Sequence, residues 1–118
     1  MLNHFIDRVK AGQVVDFQET MAVIAAAYDY QPTEFSNGIQ QPLVNEAGCN
    51  EGSCKIFAFA RLHGLDQTQT LALFGDYYRK DVLENPDGND HQNIRNFMRD
   101  GWDGIVFKGE ALKAKHAG

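Results

Sequence analysis

The stretch NEAGCNEGSCKIFAFARLHG, residues 45–64, holds both cysteines of the chain and sets a polar, glycine-punctuated loop against an apolar run. Cys54 falls in the expected first turn of a helix beside Lys55, where free backbone amides and a cation lower a thiol pKa and create a nucleophile. His91, in the first turn of another expected helix, would serve as its base if the fold joined the two. The opposing chemistry is stronger. Cysteine is among the most often buried residues, Cys54 starts an apolar run, and Glu51 nearby would raise a thiol pKa. A packed core thiol is therefore the expected role of Cys54. Cys49, Cys54, His63 and His91 do not make a zinc site, because the second clustered ligand pair of a zinc knuckle is missing. The turn PDGND fails the EF-hand register, and GCNEGSCK fails the Walker A spacing, with Glu51 placed to repel phosphate. No metal and no cofactor is expected.

A polar set remains: Asn37, Asn45, Asn50, Glu51, Asp90, His91 and Arg95, with Asn93 and Asn96 beside them. Two helix N-termini framed by asparagines would form a polar pocket for a small ligand or a peptide carboxylate. The same residue types also satisfy backbone amides in loops and caps. Under either reading Arg95 and Glu51 are expected as a cross-loop ion pair. The enzymatic alternative is an acid/base site at Asp90 and His91, with or without Cys54, in a cleft under the 31–50 loop.

The elements that must position these groups are mostly helical. Residues 3–11 form a short helix capped by Asn3, with Phe5, Ile6 and Val9 on one face and Gly12 as its stop. Asp16 and Glu19 have capping-box spacing and open a helix whose stripe is Phe17, Met21, Ile24 and Tyr28, ended before Pro32. Residues 31–50 lose periodicity, carry an Asn37-Gly38 turn signal, and read as a long ordered loop over the core with one strand at 33–36. A third helix starts near Asn50 or Ser53 and ends at Gly64; it is apolar nearly all round and hence central. Asp66 and Gln69 open a fourth helix that runs to about Asn85. The interior Gly75, about 1 kcal/mol worse than Ala in a helix, points to another backbone packed against it. Asp90 caps a fifth helix, Gly101 takes its C′ position, and Trp102 packs back on Phe97. Residues 104–107 form a strand able to pair with 33–36.

The expected fold is thus mainly α: a single compact domain over 1–112, with about five helices, a long ordered loop and at most a small two-stranded β element. Residues 113–118 are expected as a disordered or frayed tail. At 118 residues, 43% hydrophobic and 23% charged, the chain has the composition of one ordinary soluble globular domain. A formal charge of -5 argues against nucleic-acid binding, which needs surplus Lys and Arg. No apolar run of about 18 residues is present to cross a membrane, and the first residues lack a signal-peptide h-region. Two cysteines demand no oxidising compartment, so the cytoplasm is the expected location.

The blocks FSNG, NEAGCNEGSCKIFAFARL, TLALFGDYYRKDVL and PDGNDHQNIRNFMRDGWDGI, in that order over roughly residues 28–112, resemble the HopJ (HopPmaJ) type III effector family. The motif positions include Asn37, Gly38, Asn45, Gly48, Asn50 to Cys54, Asp90, His91, Asn93 to Arg95, and Trp102. The resemblance implies secretion through a type III system; action by binding an unidentified protein partner or small ligand is expected because no catalytic, metal or nucleotide motif stands out among the residues. The resemblance implies no reaction and lends no residue a catalytic role.

Overall fold

The computed structural model describes residues 1–115. At its centre lies α3, Glu51–Leu62, in which Cys54, Ile56, Phe57, Ala58, Phe59 and Ala60 are all buried. The interior helix expected from its all-round apolar character is present, and Gly64 ends it in a left-handed conformation. Phe57 and Phe59 organise the core from opposite sides. Phe57 meets the rings of Phe35, Phe74 and Phe97, and Phe59 meets those of Phe5 and Tyr28.

The helix α1, Leu2–Lys10, buries Phe5, Ile6 and Val9 as its spacing requires, but Asn3 lies inside it rather than capping it. α2, Phe17–Ala27, is capped by Asp16, whose carboxylate accepts from the Glu19 amide at 2.7 Å. Glu19 does not complete a capping box. Its side chain pairs with Arg8 and ties α2 to α1. α2 also stops earlier than its stripe implies, because Tyr28–Tyr30 forms strand β1.

Strands are where the structure departs most from expectation. The loop over 31–50 contains β2, Phe35–Asn37, and β3, Leu43–Asn45, paired antiparallel; β2 also pairs antiparallel with β4, Ile105–Phe107. The anticipated pairing of the 33–36 and 104–107 regions is therefore real, with β3 as an additional strand. A second two-stranded sheet joins β1 to β5, Leu112–Ala114, with Tyr30 opposite Leu112. Lys113 and Ala114 are thus strand residues, which corrects the reading of 113–118 as a frayed tail; residues 116–118 lie outside the described residues. The described residues form five α-helices, a π-helical and a 3₁₀ segment, and five strands in two small antiparallel sheets, rather than at most one two-stranded β element. Each strand is only three residues long, so period 2 has no room to show itself.

The long helix expected over 66–85 is broken. α4, Gln67–Ala72, carries a complete capping box between Asp66 and Gln69, and a π-helical segment, Tyr77–Val82, follows after a turn. Gly75, at φ +62°, makes that turn; a Cβ there would sit 2.6 Å from the Phe17 amide nitrogen. The close backbone that the glycine implied is there, and the left-handed φ is what interrupts the helix. α5, Gln92–Asp100, runs into a 3₁₀ turn at Gly101–Gly104, with Trp102 edge-on to Phe97 at 5.1 Å. No helix among the described residues is long and apolar enough to cross a membrane.

Candidate functional site

A concave space of about 450 Å³ opens between the starts of α3 and α5. Asn50, Gly52 and Ser53 line it from α3, Gln92, Asn93 and Ile94 from α5, and Phe17, Leu43, Phe74, Tyr77 and His91 close the walls. Gly52 matters to its shape: a Cβ there would come within 2.9 Å of the Phe17 ring. Without one, Phe17 lies against the first turn of α3 and edge-on to Tyr77 at 5.0 Å.

Both helices enter the cleft through an unusual cap. Asn50 (φ 52°) and His91 (φ 49°) are the two non-glycine residues with positive φ among the described residues. Left-handed backbone costs an L-residue roughly 1–2 kcal/mol. Neither side chain caps its own helix, so the first-turn amides of α3 and α5 have no side-chain acceptor among the described residues. Asn50 turns instead to donate to Asn45 Oδ1 at 2.7 Å. His91 Nε2 lies 3.1 Å from Asp81 Oδ2, with its ring 5.3 Å from Tyr77.

Beneath the cleft lies a buried amide lattice. Asn37, Asn45, Asn93 and Asn96 are all at most 7% exposed. Asn93 Oδ1 accepts from both Asn37 Nδ2 and Asn45 Nδ2 at 3.1 Å, while Asn93 Nδ2 donates to Asn45 Oδ1 at 2.8 Å. Asn37 Nδ2 also donates to the Asn93 carbonyl at 2.8 Å, and Asn96 Nδ2 donates to the Asn37 carbonyl at 3.0 Å. These bonds hold the β2–β3 hairpin against α5. Buried amides exact a cost of about 1–3 kcal/mol when unpaired, so a lattice this well paired fixes a single geometry. Asn37 Oδ1 has no hydrogen-bond partner among the described residues.

The expected site residues therefore divide. Asn50 and His91 face the cleft; Asn37 and Asn45 support it from below. Asp90, Arg95 and Glu51 do not line it. Arg95 pairs with Asp90 at 2.7 Å and donates to the Asn85 carbonyl at 2.9 Å, which corrects the expected Arg95–Glu51 pair. Bound in this way by Arg95, Asp90 does not cap α5, and its carboxyl is held below the usual carboxylate range. The carboxylate that meets His91 most closely is Asp81, Asp90 being at 3.9 Å.

Cys54 is 1% exposed with Sγ 3.5 Å from the Thr33 carbonyl, and burial pushes its thiol pKa up. It is a packed thiol. Cys49 is exposed, and no cluster of three metal-ligating side chains occurs among the described residues. Phe17, Tyr77 and Asp81 escaped sequence reasoning. A helical stripe containing Phe17 looks like core, and an unbroken helix over 66–85 leaves Tyr77 and Asp81 with no reason to meet His91.

Among curated proteins nothing matches the chain. A solved structure, that of the unknown function protein VPA0580, is 50% identical and superposes with a TM-score of 0.92 over 98% of this chain and 94% of that one. The model of the HopJ type III effector protein family matches residues 2–112. That match takes in the cleft, the amide lattice beneath it and both helix starts, and the chain belongs to the HopJ type III effector protein family.

Proposed function

We propose that the protein works by binding, and that its site is the cleft between α3 and α5. The observation that carries this reading is a preformed concave space of about 450 Å³ with Phe17, Phe74 and Tyr77 on its walls and convergent polar groups at one end. That volume and mixture are characteristic of small-molecule pockets. The polar end offers free helix amides beside Asn50 and His91, which favour an acceptor-rich group such as a carboxylate on a small ligand or a peptide end. The aromatic walls favour a flat apolar body.

The test is a heteronuclear shift screen of the full chain against small aromatic carboxylates. Binding in the cleft moves the amides of Gly52, Ser53 and Gln92 to Ile94, and Tyr77→Ala weakens it at least tenfold. Shifts confined to other surfaces, or none at all, would remove the reading.

An acid/base alternative draws on the 3.1 Å contact between His91 and Asp81, which supplies the oriented imidazole that Asp90 does not. Turnover of an ester or amide panel that is abolished by His91→Gln, with binding retained, would favour it. Family membership supports delivery by a type III system, and a translocation reporter fused to the full chain checks that separately.

A further inference from the structure

Away from the cleft, a second concave space of about 440 Å³ lies between α3 and the segment 107–114. Ala58, Leu62, Phe107 and Leu112 supply its apolar surface, and Leu62 remains 56% exposed. One side of the groove is the free edge of β5. The ladder shows which groups face it. Gln31 N donates to the Ala111 carbonyl at 2.8 Å and Lys115 N to the Ala27 carbonyl at 3.0 Å. In an antiparallel pair, residues that bond the partner alternate with residues that point away. With Asp29 opposite Lys113, the N–H and C=O groups of Leu112 and Ala114 therefore point away from β1. They have no backbone partner among the described residues. Ala114 is exposed and Leu112 is 6% exposed, so the groove offers an accessible donor and acceptor at Ala114 and a nearly covered pair at Leu112, an edge that an extended peptide can complete.

Arg61 decides what kind of peptide. Its guanidinium lies 5.7 Å from the Phe107 ring centroid and 6.0 Å from that of Trp102, and Nη2 donates to the Ile105 carbonyl at 3.4 Å. An arginine carries five donors, so most of its capacity is unused. Among the described residues no carboxylate pairs with Arg61 or with Lys113, although the chain has 16 acidic residues to 11 basic ones. Glu110 is the one acidic residue lining the groove. A held but unpaired guanidinium beside an open strand edge is complementary to a carboxylate arriving with a strand.

We infer that the groove docks an extended acidic segment of a partner protein, which adds as a third strand to the free edge of β5 with an Asp or Glu side chain on Arg61. The test selects binders to the full chain from a displayed library of random seven-residue peptides. Enriched peptides alternate apolar and polar positions, carry an acid, and protect the Leu112 and Ala114 amides from exchange. Arg61→Gln lowers their affinity about tenfold or more. A second variant guards against misfolding at Arg61: Ala114→Pro removes an outward N–H while leaving the β1–β5 ladder intact. It should abolish peptide binding with an unchanged thermal midpoint. No enrichment, winners without acids, winners that instead protect α3 and α5 amides at the other cleft, or equal binding to Ala114→Pro would each overturn the inference.

Discussion

Asn45 and Asn93 exchange side-chain hydrogen bonds, each amide nitrogen donating to the other's oxygen at 3.1 and 2.8 Å. This reciprocal pair joins β3 to α5 and forms the base on which the cleft is built. Asn93→Ala leaves the amide groups of Asn37 and Asn45 short of partners in a dry setting, and should cost about 2–4 kcal/mol in urea unfolding. Asn3→Ala, at an exposed position inside α1, should change stability by less than about 0.5 kcal/mol. Comparable losses at both positions would mean that the lattice is not a stabilising unit.

His91 sits at φ 49° and forms a partly exposed contact with Asp81. A conformation of this kind persists only where the surrounding contacts hold it. His91→Gly should relieve the backbone and leave stability unchanged or raised by up to about 1 kcal/mol. The same variant should bind aromatic carboxylates more weakly than wild type. Opposite movements of stability and affinity, read by denaturation and by shift titration, are the expected signature.

Gly75→Ala combines an unfavourable left-handed φ with a Cβ 2.6 Å from the Phe17 nitrogen, a backbone atom that cannot swing aside. A loss of about 3 kcal/mol or more is expected. Gly64→Ala, also at positive φ but with open space around its Cβ, should cost only about 1–2 kcal/mol. Equal thermal shifts for the two would show that the contact with α2 is unimportant.

The His63 ring, 2.7 Å from the Tyr28 hydroxyl, has its pKa lowered by burial and by the positive charge of Lys10. The folded chain therefore refuses a proton that the unfolded chain accepts. Stability from this group is complete above the ordinary histidine value of about 6.5 and is lost as pH falls through the lower folded value. His63→Gln keeps an acceptor for Tyr28 without titrating, so its unfolding midpoint should fall less than that of wild type as the pH is lowered below about 6.5.

Thiol labelling of native protein should modify Cys49 quickly and leave Cys54 untouched until denaturant is added, because burial both hides the second thiol and disfavours its thiolate. Two fast equivalents would contradict the packing of α3.

Much of the helical framework was legible because its signals act within one turn. Asp16 and Asp66 receive the N3 amides that their spacing promised, and Trp102 returns to Phe97 across Gly101. Part of the candidate site was legible for the same reason: Asn50 flanks α3 as expected, whereas the residue flanking α5 is His91, one position beyond the expected cap Asp90. The partners of those residues were not. Arg95 had several acidic residues within reach along the chain, and only the turn after the π-helical segment selects Asp90 over Glu51. His91 finds Asp81 because Gly75 redirects the chain, and a propensity-level reading of one glycine cannot fix that angle.

By itself the sequence determined where the backbone coils and stops, which faces turn inward, and that Cys54 belongs to the core; these depend on neighbours a few residues away. Tertiary structure alone decided that Tyr28–Tyr30 leaves its helix to pair with Leu112–Ala114, and that Asn37, Asn45 and Asn93 share one buried lattice. Three-residue strands and side-chain amides have little conformational preference of their own. Their free energy comes from partners distant in the chain, and it exists only after the core has brought those partners together.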